Sequence, residues 1–390
     1  MSDLLSLLVI GGGPAGLSAA RSYREAGGQG PVAIIGDEHR MPYRRPPLTK
    51  ELLRGDTTED DLPIEREEWL SKHNVSLISG RAVRLEPGAH TVVLSGGREL
   101  KYRQCVLATG AEPTRLPVQG ADDPAVRVLR TLDHLRELQR RLGRGESAVV
   151  IGSGFIGCEI AASLRMRGHQ VELVSDEAAP NVARLGDEAA AVLAGWLQEQ
   201  GVSLHLGTAV ERIRRTARGF EVTADGAGVD GNVVIMATGV APRSELVAAA
   251  PCIELADSAI PVSADMRSAR ADVLAAGDVC RAENLAAGRP LRVEHWGDAL
   301  TQGEIAGKTA AGKPAAWDQV PGFWSTIGSR TLKYAAWGDG YDNTRLERHP
   351  DGGFTAWYGR DGQIVGVLTH EADEDYERGT ELIQRGAPWS

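Results

Sequence analysis

An α/β chain of three parts, two of them built alike, is what this sequence predicts, and three observations carry that prediction. The first is Leu7 to Gly16, LLVIGGGPAG, where four apolar residues run into Gly11, Gly13 and Gly16 at G-x-G-x-x-G spacing. The second is recurrence: Ala148 to Gly157, AVVIGSGFIG, repeats the pattern at Gly152, Gly154 and Gly157. The third is length, since 390 residues exceed one ordinary hydrophobic core.

Leu7-Leu8-Val9-Ile10 reads as a parallel strand buried on both faces, and Leu17 to Ala26 as the helix after it. Gly11 permits the tight turn, Gly13 lets a pyrophosphate approach the backbone, and Gly16 lets the helix pack closely on the strand. Pro14 and Ala15 complete the turn, where the helix N-terminus offers N–H groups and the positive end of its dipole. A second strand, Val32 to Ile35, ends at Asp37 and Glu38. Those carboxylates lie about 20 residues past the last glycine, where a ribose hydroxyl is expected. Strand, glycine turn, helix, strand and acid in that order predict a dinucleotide site.

The repeat predicts a second such site for a different nucleotide. Its helix is expected to run to about Arg167 and its next strand from Val171 to Val174. Ser175 follows that strand, then Asp176 and Glu177. Either acid would reach a ribose and repel a 2′-phosphate, so NADH is expected over NADPH.

Between and after the repeats the expected elements are simpler. Pro42 to Leu53, PYRRPPLTKELL, is a rigid loop, with a helix starting from Leu48. Residues 62–73 read as helical and 75–100 as a small β-meander. Two strands end in ATG: Cys105 to Gly110, with Ala108, Thr109 and Gly110, and Val233 to Gly239. A helix is expected over Asp133 to Leu142 with Asp133 as N-cap, and an amphipathic helix over 187–200. Val273 to Asp278, VLAAGD, is a short strand ending at a carboxylate that either caps a following helix or binds a polyol chain. Arg292 to Gly303 opens a helix beginning with Trp296. Pro314 to Pro321 reads as a linker. Strands near 331–337, 353–358 and 363–369, an Asp361-Gly362 hairpin turn and a helix over 372–385 form the small third part.

Bulk composition narrows the function classes. The net charge of −10 argues against general nucleic-acid affinity. The basic cluster Arg40, Arg44, Arg45, Lys50 and Arg54 reads as a solvated loop with phosphate ligands, ahead of a partner-docking patch. No apolar run is long enough to cross a bilayer, and the first strand starts too early for a signal peptide, so a cytoplasmic protein with no membrane partner is expected. The four cysteines, Cys105, Cys158, Cys252 and Cys280, form no C-x-x-C pair, so neither a metal site nor a disulfide relay is expected. His295 has no second ligand at metal-binding spacing.

Taken together, PYRRPPLTK, the two glycine turns, the two ATG strands, AAGD, VEHW and PGFW resemble the FAD-dependent pyridine nucleotide reductases over nearly the whole chain. The likeness is to the ferredoxin, rubredoxin and putidaredoxin reductase group, with the apoptosis-inducing-factor branch also similar. That resemblance implies an FAD-binding domain from 1–112 and 243–316, an NAD(P)H-binding domain from 113–242 and a C-terminal interface domain from 317–390. It implies Asp37 and Glu38 at the FAD ribose, Arg45 and Lys50 on FAD, Val83 at the adenine end and Asp278 by the ribityl or pyrophosphate region. Glu294, His295 and Trp296 would lie by the isoalloxazine, with Trp324 over its far end. It implies Phe155 and Ile156 on the nicotinamide side; Ser153, Ser175, Asp176 and Gly239 complete the expected NAD(P)H site. Glu159 would pair with Lys50 near the flavin, as the catalytic pair; an ordinary structural ion pair is the competing reading. Ser175 stands where the family carries a glutamate, Arg44 where an acid is common, and residues 326–341 depart from the usual tail. The activity implied is electron transfer from NADH through flavin to a ferredoxin-like iron–sulfur protein, for an oxygenase or cytochrome P450, by a monomer or homodimer. Direct reduction of quinone or oxygen, or a redox-controlled interaction role, are the alternatives.

Overall fold

The structure is a computed structural model that describes residues 4–143, 145–250 and 252–389. It divides into two compact units: residues 1–44, 62–112 and 241–323, and residues 45–61, 113–240 and 324–390.

The first unit is organised by Leu4–Ile10, whose Leu7, Leu8 and Val9 are wholly buried. It lies parallel between Val32–Gly36 and Glu99–Leu107. Val75–Ser79 adds a parallel strand beyond Val32–Gly36, and Val273–Ala275 pairs in parallel with Cys105–Leu107. The long strand Glu99–Leu107 is thus shared, because its first residues pair antiparallel with Thr91–Leu94, which in turn pairs with Ala82–Glu86. Unbroken apolar runs suit strands covered on both faces. One cover is Pro14–Glu25, packed against Trp296–Ala310. A Cβ at Gly303 would overlap the carbonyl of Ala15, and one at Gly307 that of Ala19. Small residues therefore bring these two helices into backbone contact, where Ser18 donates to the Leu300 carbonyl at 2.7 Å.

The second unit repeats the parallel sheet in the order Ser203–His205, Gln170–Val174, Ser147–Ile151, Val233–Met236, Arg127–Val128. A three-stranded meander, Val210–Thr216, Gly219–Ala224 and Ala227–Gly231, packs Ile213, Phe220, Val222 and Val229 against it. The tail forms a five-stranded sheet in the order Gly322–Ile327, Arg330–Ala336, Gln363–His370, Phe354–Arg360, Asn343–Arg348, with the helix Asp373–Gln384 on it. The hairpin turn falls at Asp361-Gly362 as expected, both residues having positive φ.

Several expected elements differ, each for a local reason. Helix 62–73 shortens to Glu67–Lys72, and the helix expected from Leu48 splits into a 3-10 turn, Pro46–Thr49, and Glu51–Arg54. Residues 75–79 are a parallel strand, so the meander begins only at Ala82. Thr131, not Asp133, is the N-cap of Leu132–Arg141; its hydroxyl accepts from the His134 N–H, and Asp133 sits in the first turn. The helix expected over 187–200 begins at Val182 and is interrupted at Gly186, whose φ of 77° and ψ of 167° are not helical. Tyr358 donates to the Leu185 carbonyl at 3.0 Å, next to that break. No helix directly follows Asp278, since the chain continues into the strand Cys280–Asn284.

Candidate functional site

The two glycine turns are built alike to the level of single hydrogen bonds. Gly11 donates to Ile35 O and Ala108 to Ile10 O, each at 2.8 Å; Gly152 donates to Val174 O and Ala237 to Ile151 O, again at 2.8 Å. Gly11 has φ 124° and Gly152 φ 103°, both left-handed. A Cβ on Gly11 would strike the Ala108 carbonyl, and one on Gly152 that of Ala237; on Gly16 or Gly157 it would strike the carbonyl of the turn's own first glycine. These four glycines are explained by the protein itself.

Gly13 and Gly154 are not. Each has an ordinary negative φ, and a Cβ on either would meet no atom within 4 Å. Both stand at the N-cap of their helices, and a glycine there supplies no side-chain cap to the first-turn N–H groups. A glycine that neither backbone nor packing requires, at a bare helix N-terminus, fits a phosphate brought up to the main chain. By this test both turns fit a dinucleotide.

Around the first turn, Tyr43 donates to Glu38 at 2.5 Å, and Asp37 lies 3.6 Å from Arg243. Arg243 escaped the sequence reading. Its carbonyl accepts from Thr109 at 2.6 Å and its N–H donates to Gly110 O, so the first ATG end carries a guanidinium beside Asp37. Gly277, the residue before Asp278, abuts Ala15 of the turn, its Cβ position 3.2 Å away. His295 is the N-cap of Trp296–Ala310; its Nδ1 lies 3.0 Å from the buried Asp298, and its ring sits 4.6 Å from that of Phe323. Glu294 pairs with Arg292 at 2.6 Å. Val83 stands apart, on the edge strand Ala82–Glu86 with two strands between it and Leu4–Ile10.

In the second unit, Lys50 and Glu159 come together. Lys50 Nζ lies 3.1 Å from both Glu159 oxygens, and both residues are at most 4% exposed. Thr49 donates to Glu159 Oε2 at 2.5 Å and Ser325 to Oε1 at 2.8 Å. A buried ion pair is tolerable when its remaining hydrogen-bonding capacity is met, and these two hydroxyls meet it. Neither hydroxyl has a spacing signal; Thr49 is visible only as Lys50's neighbour in PLTK, and Ser325 as the residue after PGFW. Trp324, beside Ser325, is 44% exposed, and Ile156, one helical turn before Glu159, is 48% exposed. Arg45 donates to the Arg130 carbonyl at 2.8 Å. Past the second turn, Ser153 and Ser175 are buried with their hydroxyls 2.8 Å apart, and Glu177 also reaches Ser153, while Asp176 is exposed.

Pyridine nucleotide-disulphide oxidoreductases match residues 5–303. The chain belongs to that family. It is therefore an oxidoreductase, of a family that works with FAD and NAD(P)H. The chain is 31% identical to rubredoxin-NAD(+) reductase of Pseudomonas putida over 334 residues, 84% of this chain and 86% of that protein. It is 32% identical to the ferredoxin–NAD(+) reductase component of the anthranilate 1,2-dioxygenase system of Burkholderia cepacia, over 97% of this chain and 94% of that one. The crystal structure of the ferredoxin reductase for the CYP199A2 system of Rhodopseudomonas palustris superposes with a TM-score of 0.93 at 28% identity, covering 100% and 96% of the two chains.

This family member has no disulphide among its described residues. All four cysteines are free, and three are buried. Burial pushes the Cys158 thiol well up, helped by Glu159 and Glu177, and pushes Cys280 up to about 12, helped by Asp278. Burial likewise raises Cys105, helped by Asp272. Such thiols stay protonated and unreactive.

Proposed function

We propose that this protein passes electrons from NADH through FAD to a small iron–sulfur protein, as a ferredoxin reductase serving an oxygenase or a cytochrome P450. The observation that carries the reading is the pair of open glycines, Gly13 and Gly154, each facing space at an uncapped helix start. Residues 1–112 and 243–316 are assigned to FAD, 113–242 to NAD(P)H and 317–390 to the partner interface. When bound, flavin accepts a hydride from the nicotinamide and releases the electrons singly.

The chain's part is to bind and orient. Gly11 makes the turn, Gly13 leaves room for the FAD pyrophosphate and Pro14 opens the helix, so that the main-chain N–H groups of Ala15 and Gly16 can serve the phosphates, with Asp37 and Glu38 as ribose acceptors and Asp278 as a further acceptor. Gly152 to Gly157 do the same for NADH, beside the ATG end at Gly239. Lys50 is held by Glu159, whose carboxylate Thr49 and Ser325 orient. NADH is favoured because both acids past the second strand oppose a 2′-phosphate, and two relatives carry NAD(+) in their names. The four thiols are free and three are buried, so this chain's own cysteines would offer a bound flavin no disulphide to reduce. The location is assigned to the cytoplasm; among the described residues no helix is long and apolar enough to cross a membrane.

The test is an anaerobic titration of the flavin-loaded protein with NADH, followed by an oxidised [2Fe–2S] ferredoxin. Bleaching near 450 nm and reoxidation on adding ferredoxin are expected, with cytochrome c reduced only when ferredoxin is present. Equally fast quinone or oxygen turnover without ferredoxin would assign a diffusible acceptor instead. Slow turnover with a change in molecular size on reduction would assign a redox-controlled assembly role.

A further inference from the structure

The strand Gln170–Val174 ends where a Rossmann site ordinarily places its ribose acid. Ser175 occupies that position, and its hydroxyl turns inward to Ser153 at 2.8 Å. Two residues later the chain returns a carboxylate to the turn. Glu177 Oε2 accepts from Ser153 Oγ and from the Asn181 N–H, both at 3.1 Å. Its main chain is fixed as well: its N–H donates to Ser175 Oγ at 3.2 Å, and its carbonyl accepts from Gly207 at 2.8 Å. Asn181 makes the arrangement possible. Left-handed at φ 57°, it donates its N–H to Glu177 and its side-chain amide to the Ser153 carbonyl, both at 3.1 Å.

We propose that Glu177, rather than its exposed neighbour Asp176, selects NADH over NADPH, with Ser153 and Asn181 as its positioning residues; this rests on the reading that the second turn holds the pyridine nucleotide. Among the described residues, the hydrogen bonds of the Glu177 carboxylate end on Oε2. Oε1 is then available to accept from an adenosine ribose hydroxyl. A 2′-phosphate brought to the same place meets a full negative charge whose hydrogen-bond partners hold it in position. Asp176 is exposed, and its charge is screened by water and salt. The lost strand-end acid is thus replaced from farther along the chain, through a turn that the Rossmann spacing does not describe.

The experiment measures NAD+ and NADP+ binding to the flavin-loaded full chain by calorimetry, with kcat/KM for NADH and NADPH using ferricyanide as acceptor. In Glu177→Gln, which keeps an oxygen for Ser153 and Asn181, the preference for NAD+ should fall about ten- to hundred-fold. Glu177→Asp, which withdraws the charge by one methylene, should fall between it and wild type. A smaller change is expected in Asp176→Asn. A Glu177→Gln ratio within about twofold of wild type, or a larger loss in Asp176→Asn, would overturn the assignment. Wild-type protein that binds neither nucleotide would instead remove the underlying reading of the second turn, and wild-type preference for NADP+ would remove the selectivity claim alone.

Discussion

The first and second glycine turns share a backbone and differ in what stands behind it. Both use left-handed first glycines, carbonyl-to-Cα approaches that exclude a Cβ, and bare helix starts. Behind the first turn the residue after Gly11 is another glycine, whose Cβ position lies 3.5 Å from the Gly36 Cα, and a second helix lies in backbone contact. At the second turn that position is Ser153, 2% exposed, at the centre of a network with Ser175, Glu177 and Asn181. The cradle is a main-chain property set by glycine spacing. The choice of ligand is a side-chain property, set by residues the spacing leaves open.

The largest way to break this likeness is to fill a cradle. Gly11→Ala and Gly152→Ala each combine a disfavoured φ with overlap of a carbonyl, and each should destabilise its own unit by more than about 3 kcal/mol. Absorbance of purified protein separates the two: Gly11→Ala is expected to lose flavin, while Gly152→Ala keeps the yellow colour and loses NADH reduction. By contrast, Gly13→Ala and Gly154→Ala should leave thermal unfolding of the flavin-free protein within about 0.5 kcal/mol while weakening the corresponding ligand. Equal destabilisation at all four positions would show that the open glycines are structural after all.

Next in size is the buried pair of the second unit. Glu159→Ala leaves Lys50 buried without its carboxylate and should destabilise the second unit by about 3–5 kcal/mol, read by urea unfolding. Lys50→Met combined with Glu159→Leu should cost less than Glu159→Ala alone. The apolar double variant should also reduce flavin more slowly with NADH in stopped flow, which a purely structural pair would not do.

A smaller effect comes from the thiols, one in the first sheet and one behind each turn. An unfolded thiol ionises near 9, whereas burial holds Cys105, Cys158 and Cys280 protonated to higher pH. Above that point the native state binds more protons than the unfolded one. Stability is therefore intact below about pH 9 and falls as pH rises, by up to about 1.4 kcal/mol per pH unit for each such thiol. Thermal unfolding from pH 7 to 11 checks this. At pH 8 a disulfide reagent should titrate Cys252 rapidly and the other three only after denaturation. The smallest expected change is Thr131→Ala, which removes a helix cap at about 1 kcal/mol and should leave nucleotide affinity unaltered.

Most of the architecture was legible because it is carried by local signals. Apolar runs of four residues, three glycines at fixed spacing and their repetition identify both parallel sheets and both helix starts. What escaped depends on pairing at a distance. Asn343–Arg348 is a largely polar edge strand, and only its partner Phe354–Arg360 makes it a strand. Val182–Leu185 hides as helix because the break at Gly186 disrupts the period, and neighbouring carbonyls are met by Tyr341 and Tyr358 from far along the chain. At the site, the Lys50–Glu159 pairing followed from resemblance, whereas nothing in the sequence marks Thr49, Ser325, Arg243 or Asn181 as partners of the residues they bond. Their roles exist only once segments up to 166 residues apart are folded together.

The close contact of Pro14–Glu25 with Trp296–Ala310 also sets an order of events at the ribosome. Val273–Ala275 and the helix after it complete the first sheet, yet they are made only after the whole of residues 113–240. At about 5–20 residues per second, the nascent chain carries an open strand edge at Cys105–Leu107 and an uncovered helix for on the order of ten to thirty seconds. The early part of this protein must wait, half-built, for its own later translation, and a cell that makes it quickly must shield that edge from other chains.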